Sequence, residues 1–147
     1  MKRAVVALVL LLAACGGSDL RAVTQVRVQV EVRADDQGPL ETGLVICDGR
    51  QARGTGLYAD EVSAVRACDA IRSNLAVQRL LFSGPDPDRA CPEIYGGPQR
   101  AKVAGVVDGQ EVDVRIDRTN GCGIDDWNAL EPLIGPPLEP ATPAYDG

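Results

Sequence analysis

The chain of 147 residues contains no histidine. That removes the usual base of a Ser–His–Asp triad and of a Cys–His dyad, so nucleophilic hydrolysis loses its standard proton acceptor. It also removes the commonest nitrogen ligand for zinc, and no C-x-x-C pair supplies thiolates instead. The carboxylates fall in polar turns and on alternating faces, where solvation accounts for them. No enzyme, cofactor or metal site is therefore expected. Aromatic residues are scarce, with one tryptophan, one phenylalanine and three tyrosines. The core must be built from Val, Leu, Ile and Ala, and so thin a core gains from covalent staples. Basic residues are in the minority, 15 against 21 acids, for a net charge of −6. An acidic surface repels nucleic acid and anionic lipid, so neither is an expected partner. Internal repeats are absent. The apolar run Ala4 to Leu12 is too short to span a bilayer as a mature helix.

That run follows Lys2 and Arg3 and ends in Leu12-Ala13-Ala14-Cys15. A positive start, a short apolar stretch and small residues before a cleavage point describe an export signal. The four residues in this order resemble the bacterial lipobox. The resemblance implies a diacylglyceryl group on the Cys15 thiol and cleavage before Cys15. An ordinary secretory signal with an incidental cysteine is the plainer alternative. With the lipobox, residues 1–14 are the signal peptide and residues 15–23, opening "CGGSD", are a lipidated tether. The mature chain of 133 residues then carries a charge of −8 once Lys2 and Arg3 are gone. The expected location is exported, extracytoplasmic and anchored to the cell membrane by lipid, with two or more acyl chains needed for stable attachment.

Four further cysteines, Cys47, Cys68, Cys91 and Cys122, suit two disulfides in an exported domain, with three connectivities open. Between them the patterns change. Val26, Val28, Val30 and Val32 alternate with polar residues, the mark of a half-buried strand. "ETGLVICD" is a second strand, antiparallel to the first. "DGRQARGTGLYAD" is glycine-rich and polar, and is expected to be a loop. From Asp60, a plausible N-cap, Val62, Val65, Cys68, Ile71, Leu75, Leu80 and Leu81 recur at helical steps and predict one helix with these residues inward. Residues 101–117 predict a hairpin turning at Asp108-Gly109. Asp125-Asp126 reads as a helix start or turn, Trp127 as a core or rim residue, and Trp127 to Ile134 as a last short strand. Residues 135–147 hold four prolines and read as a disordered tail. The fold class is α+β: an antiparallel β-sheet with helical structure packed on one face, stapled by two disulfides, in one domain over residues 24–134.

One stretch stands apart. "RACPEIYGGPQR", residues 89–100, is amphipathic in neither period. Pro92 fixes its own φ and pushes Cys91 towards an extended form. A bonded Cys91 would anchor the strip at its start, with Glu93 and Ile94 projecting. An ordered, exposed, extended backbone is the shape a protease accepts, and prior order lowers the entropic cost of binding.

At Cys91-Pro92-Glu93-Ile94-Tyr95, at "GVVDGQEV" and at "RTNGCGI" the chain resembles the subtilisin inhibitor-like family, the secreted bacterial serine protease inhibitors of SSI type. "LVIC … ACDAI" is similar to that family's first disulfide and helix. The resemblance covers about residues 24–134. It implies an antiparallel sheet with two helices, sequential disulfides Cys47–Cys68 and Cys91–Cys122, and frequent homodimers. It also implies a reactive bond between Glu93 and Ile94. Glu93 takes the P1 place, whose side chain enters the protease's primary pocket. Pro92 and Cys91 precede it, and Ile94, Tyr95 and Gly96 follow as the primed side. Three departures stand out. The family's subtilisin inhibitors carry an apolar or basic P1 residue, whereas Glu93 is an acid, which points to a glutamate-preferring serine protease with a basic pocket. Gly96-Gly97 is expected to loosen the primed side. The loop between Cys47 and Cys68 is longer than usual. The resemblance therefore implies a tethered protease inhibitor, and the alternative is a non-inhibitory binding or structural lipoprotein on the same fold.

Overall fold

The computed structural model describes residues 22–140. The signal peptide, Cys15 and residues 141–147 lie outside the described residues. Five strands and three helices follow in the order β1 (Gln25–Arg33), β2 (Leu40–Asp48), β3 (Gln51–Gly56), α1 (Glu61–Ser73), α2 (Leu75–Ser83), β4 (Arg100–Val107), β5 (Gln110–Asp117) and α3 (Gly121–Ile134). The strands make one antiparallel sheet in the order β3-β2-β1-β4-β5. The architecture is α+β with two disulfides, Cys47–Cys68 and Cys91–Cys122.

The alternation in β1 does what its period requires. Val26, Val28, Val30 and Val32 are buried in the middle of the sheet, and Val45, Cys47, Val103, Val107, Val112, Val114 and Ile116 extend the same face. The helices pack on this face, with Ile71, Val77, Leu80, Trp127 and Leu130 closing the core. The β4–β5 hairpin turns through Asp108 and Gly109, both at positive φ (47° and 79°), as a type I′ turn requires. The Asp108 carboxylate also accepts from the N–H groups of Thr24 (3.0 Å) and Gln25 (2.8 Å), which pins the start of β1 to the hairpin. Val23, assigned to the tether, is buried against the core.

Five expectations are corrected. The segment read as a glycine-rich loop contains β3, paired with β2 from Asp48↔Gln51 to Gly43↔Gly56. Its inward side has little alternation because Tyr58 occupies that space. A Cβ on Gly54 would come within 2.6 Å of the Tyr58 side chain, and one on Gly43 within 2.8 Å. A buried ring supplied from the next loop replaces side chains on the strand itself. The Tyr58 hydroxyl donates to Leu133 O at 2.8 Å, and burial raises its pKa.

The single helix is two. Asn74 ends α1 by donating its N–H to Ala70 O, and its side chain caps α2 by accepting from Ala76 and Val77 N–H. The inward phase also differs. Val62, Val65 and Leu75 are exposed, while Ala64, Ala67, Cys68 and Ile71 face the core. Alanines let α1 lie close to the sheet at the Cys47–Cys68 bond. Asp60 is the N-cap of α1, accepting from Ser63 N–H and Oγ. The Ser63 hydroxyl bond, followed by its N–H, holds Asp60 below the usual carboxylate range. Its contribution is present above the ordinary aspartate pKa and is lost as pH falls through the lowered value. Replacing Asn74 by Ala removes the cap of α2 and is expected to cost about 1 kcal/mol, read as a lower denaturant midpoint with unchanged slope.

The last strand expected at Trp127 to Ile134 is part of α3. Asn120 caps it by accepting from Gly123 N–H at 2.9 Å. Cys122, Asp126, Trp127, Leu130, Leu133 and Ile134 recur at helical spacing and are buried. Finally, the described part of the proline-rich segment is not free. Leu138 packs against the core, and its carbonyl accepts from Gln99 Nε2 at 3.0 Å.

Candidate functional site

Gly84 ends α2 with φ 72°, and the chain then runs to β4 at Arg100 without helix or strand. The middle of this passage, Cys91 to Gly96, lies on the first two turns of α3. Its leading flank is held three ways. Cys91 is bonded to Cys122, the second residue of α3. The Pro92 carbonyl accepts from Gly121 N–H at 2.8 Å. Arg89 donates one guanidinium nitrogen to Cys122 O (3.0 Å) and to the Asp126 carboxylate (2.7 Å). Gly121 packs closely against Pro92: a Cβ would stand 3.1 Å from the ring, so the ring would have to give by a few tenths of an ångström.

The trailing flank is held at Gly96, whose N–H donates to Arg118 O at 2.8 Å. Arg118 lies in the short connection between β5 and α3. Gly96 also rests on Ile124 of α3, where a Cβ would meet the side chain at 2.6 Å. The expectation that Gly96-Gly97 loosens this side is therefore corrected. Gly96 is tight because it is a glycine, which lets the backbone sit directly on Ile124. Gly97 supplies the positive φ, 132°, that turns the chain towards β4. Gly96→Ala is expected to push the strip off Ile124 and cost about 1–3 kcal/mol, with faster amide exchange at residue 96 as the direct measure.

Between the flanks stand Glu93, Ile94 and Tyr95. All three are exposed, Ile94 at 58% and Tyr95 at 68%. Both side chains are apolar in bulk, so this exposure is a cost that folding alone does not require. The Ile94 N–H donates back to Pro92 O at 2.9 Å, a three-residue turn that puts Glu93 at its apex. The N–H and C=O groups of Glu93 and Tyr95 make no hydrogen bond with other described residues.

Comparison with known protein families, with curated proteins and with solved structures gives no match to this chain. The site rests on its own geometry. Cys91, Pro92, Glu93, Ile94, Tyr95 and Gly96 lie on one continuous strip, with Cys91 and Gly96 at its anchors. Sequence reasoning did not find the support beneath them. Arg89 and Gln99 fall inside the stretch quoted at 89–100, and Arg118, Gly121 and Ile124 inside "RTNGCGI", but none has a role of its own in the sequence reading, and Asp126 and Trp127 have no link there to the strip. The Asn120 cap and the helical spacing after it, taken with the implied Cys91–Cys122 bond, could have placed α3 under residues 91–96. Among the described residues no group of His, Cys, Asp or Glu could hold a metal ion, and no helix is long and apolar enough to cross a membrane.

Proposed function

We propose that the protein is a serine protease inhibitor of the subtilisin inhibitor-like kind, tethered to the cell membrane through a lipidated Cys15. In this reading it binds an enzyme and is not one itself. The observation that carries it is the strip Glu93-Ile94-Tyr95. Its residues are exposed, the N–H and C=O groups of Glu93 and Tyr95 are unpaired among the described residues, and its flanks are fastened to α3 and to the connection that leads into it. Unpaired N–H and C=O groups on a held backbone suit hydrogen bonding to a protease cleft, in the manner of an added strand. Fastened ends remove much of the ordering cost that a free peptide would meet. Glu93 at the apex is the P1 residue and Glu93–Ile94 the reactive bond. The target is a serine protease with a cationic or hydrogen-bonding primary pocket.

A second reading has an observation of its own. The Ile94 N–H to Pro92 O bond closes a turn that needs no partner to be ordered. Glu93 is then a solvated acid on a tethered binding or structural domain. The experiment is a panel of serine proteases, glutamate-specific ones included, assayed with the soluble domain lacking residues 1–15. Tight, slowly reversed inhibition of a glutamate-preferring enzyme supports the first reading, and inhibition of none supports the second. The anchor is tested separately by mass spectrometry of the membrane fraction. The expected mature chain starts at Cys15 and carries acyl mass, and an unmodified N-terminus removes that part.

A further inference from the structure

Asp126 and Trp127 take no part in the reading above, yet they are neighbours on α3 and each faces an arginine. Asp126 is buried, and its carboxylate lies 2.7 Å from Arg89. Trp127 is fully buried, and the Arg118 guanidinium carbon stands 5.9 Å from its ring centroid. Arg118 also donates to Gln99 Oε1 at 3.3 Å, and Gln99 is itself fastened to Leu138 O. Arg89 lies two residues before Cys91. Arg118 supplies the carbonyl that takes the Gly96 N–H. Each flank of the exposed strip is thus tied by one arginine to one of two adjacent residues of one helix.

Stability is a poor account of this arrangement. The Nε of Arg89 and of Arg118 are both buried without a hydrogen-bond partner, and an unpaired buried donor is unfavourable. The Arg89–Asp126 pair is only partly buried, its arginine side chain being 28% exposed, and ion pairs open to solvent on one side add little net stability. What the two arginines do supply is position. They fix the β5–α3 connection and the chain before Cys91 against the same two turns of helix.

We infer that Asp126 and Trp127 are positioning residues for the strip, acting through Arg89 and Arg118, and that they set the separation of its two flanks. On the inhibitor reading, on which this last step rests, a protease seated at Glu93–Ile94 meets a strand that cannot relax towards product. Asp126 and Trp127 are buried and touch no partner themselves.

The test uses Arg89→Ala, Asp126→Asn, Arg118→Ala and Arg118→Lys in the soluble domain. The first readout is amide exchange. Arg118→Ala is expected to speed exchange at Gly96 about tenfold or more while amides of β1 and β4 keep their wild-type rates, because only the local opening changes. Arg118→Lys keeps a cation over the Trp127 ring and restores most of that protection. Arg89→Ala and Asp126→Asn act on Gly121 N–H, which bonds Pro92 O, and leave Gly96 largely unchanged. The second readout uses a protease that the wild type inhibits. Inhibition weakens about 10- to 100-fold as misplacement grows, and cleavage at Glu93–Ile94 accelerates relative to inhibition at temperatures well below each variant's melting temperature, where all the variants are folded. A merely structural role lowers the melting temperature and leaves the ratio of cleavage to inhibition as in wild type. Wild-type exchange at Gly96 and Gly121 in the alanine variants overturns the inference. If the wild type inhibits no protease, the inhibitor reading falls and amide exchange alone decides the bracing.

Discussion

Glu93→Lys is expected to move inhibition from glutamate-preferring to trypsin-like proteases, and Glu93→Met to subtilisin-like ones. Glu93 is exposed at the apex of a turn whose flanks are fastened. Its side chain contributes little to the fold, so either replacement should change stability by less than about 0.5 kcal/mol. On the inhibitor reading proposed above, that side chain alone would enter the protease's primary pocket. A carboxylate in an apolar pocket costs several kcal/mol unless it is paired or protonated. A mismatch of about 4 kcal/mol is a factor of roughly a thousand in the inhibition constant. The three proteins are measured against glutamate-specific, trypsin-like and subtilisin-like enzymes, and each is expected to select a different class. If none inhibits anything while both disulfides remain intact, the strip is not a reactive site and the tethered binding domain is the better reading.

The pattern of what was legible follows from where each signal lies along the chain. β1 was readable because its inward residues are its own valines, spaced by two. β3 was not, since its inward space is filled by Tyr58 and its own position there is Gly54. α1 was placed from Asp60, but its inward face was misassigned because Val62 and Val65 outweigh Ala64 and Ala67 in hydrophobicity. Contact with the sheet selected the small residues instead. α3 was hidden by its composition: Gly121, Gly123 and Pro132 all argue against a helix, and tertiary packing of Trp127 and Leu130 overrides them. The exposed strip was legible because its chemistry is local, in six consecutive residues. Its braces were not. Arg89 and Asp126 are 37 residues apart, and nothing in either neighbourhood announces the other.

The second large effect concerns the bond between Cys91 and Cys122. If the inhibitor reading holds, Cys91→Ser/Cys122→Ser is expected to turn an inhibitor into a substrate. The bond closes a separation of 31 residues, and by chain entropy its loss costs about 3.7 kcal/mol. A domain of this size has about 5–15 kcal/mol to lose, so the variant remains folded at 25 °C with a lower melting temperature. What fails is the leading flank. The Gly121 N–H to Pro92 O bond, with a net worth of about 1 kcal/mol, opens far more readily once the disulfide beside it is gone. After cleavage of Glu93–Ile94 the new carboxyl end then moves away, and rejoining is lost. Time-resolved mass spectrometry should show one cut, after Glu93, in the variant and little in the wild type. Cys47→Ser/Cys68→Ser is the necessary comparison. That bond closes a separation of 21 residues and costs a similar amount, about 3.3 kcal/mol by the same relation. It joins β2 to α1 in the core, away from the strip, so its removal should lower stability while inhibition persists until the domain unfolds. Two variants of similar entropic cost and opposite effect on cleavage separate the holding of the strip from the holding of the fold. Equal, uncut inhibition by both would assign the anchoring to Arg89, Asp126 and the Pro92–Gly121 hydrogen bond, with the disulfide contributing to the fold alone.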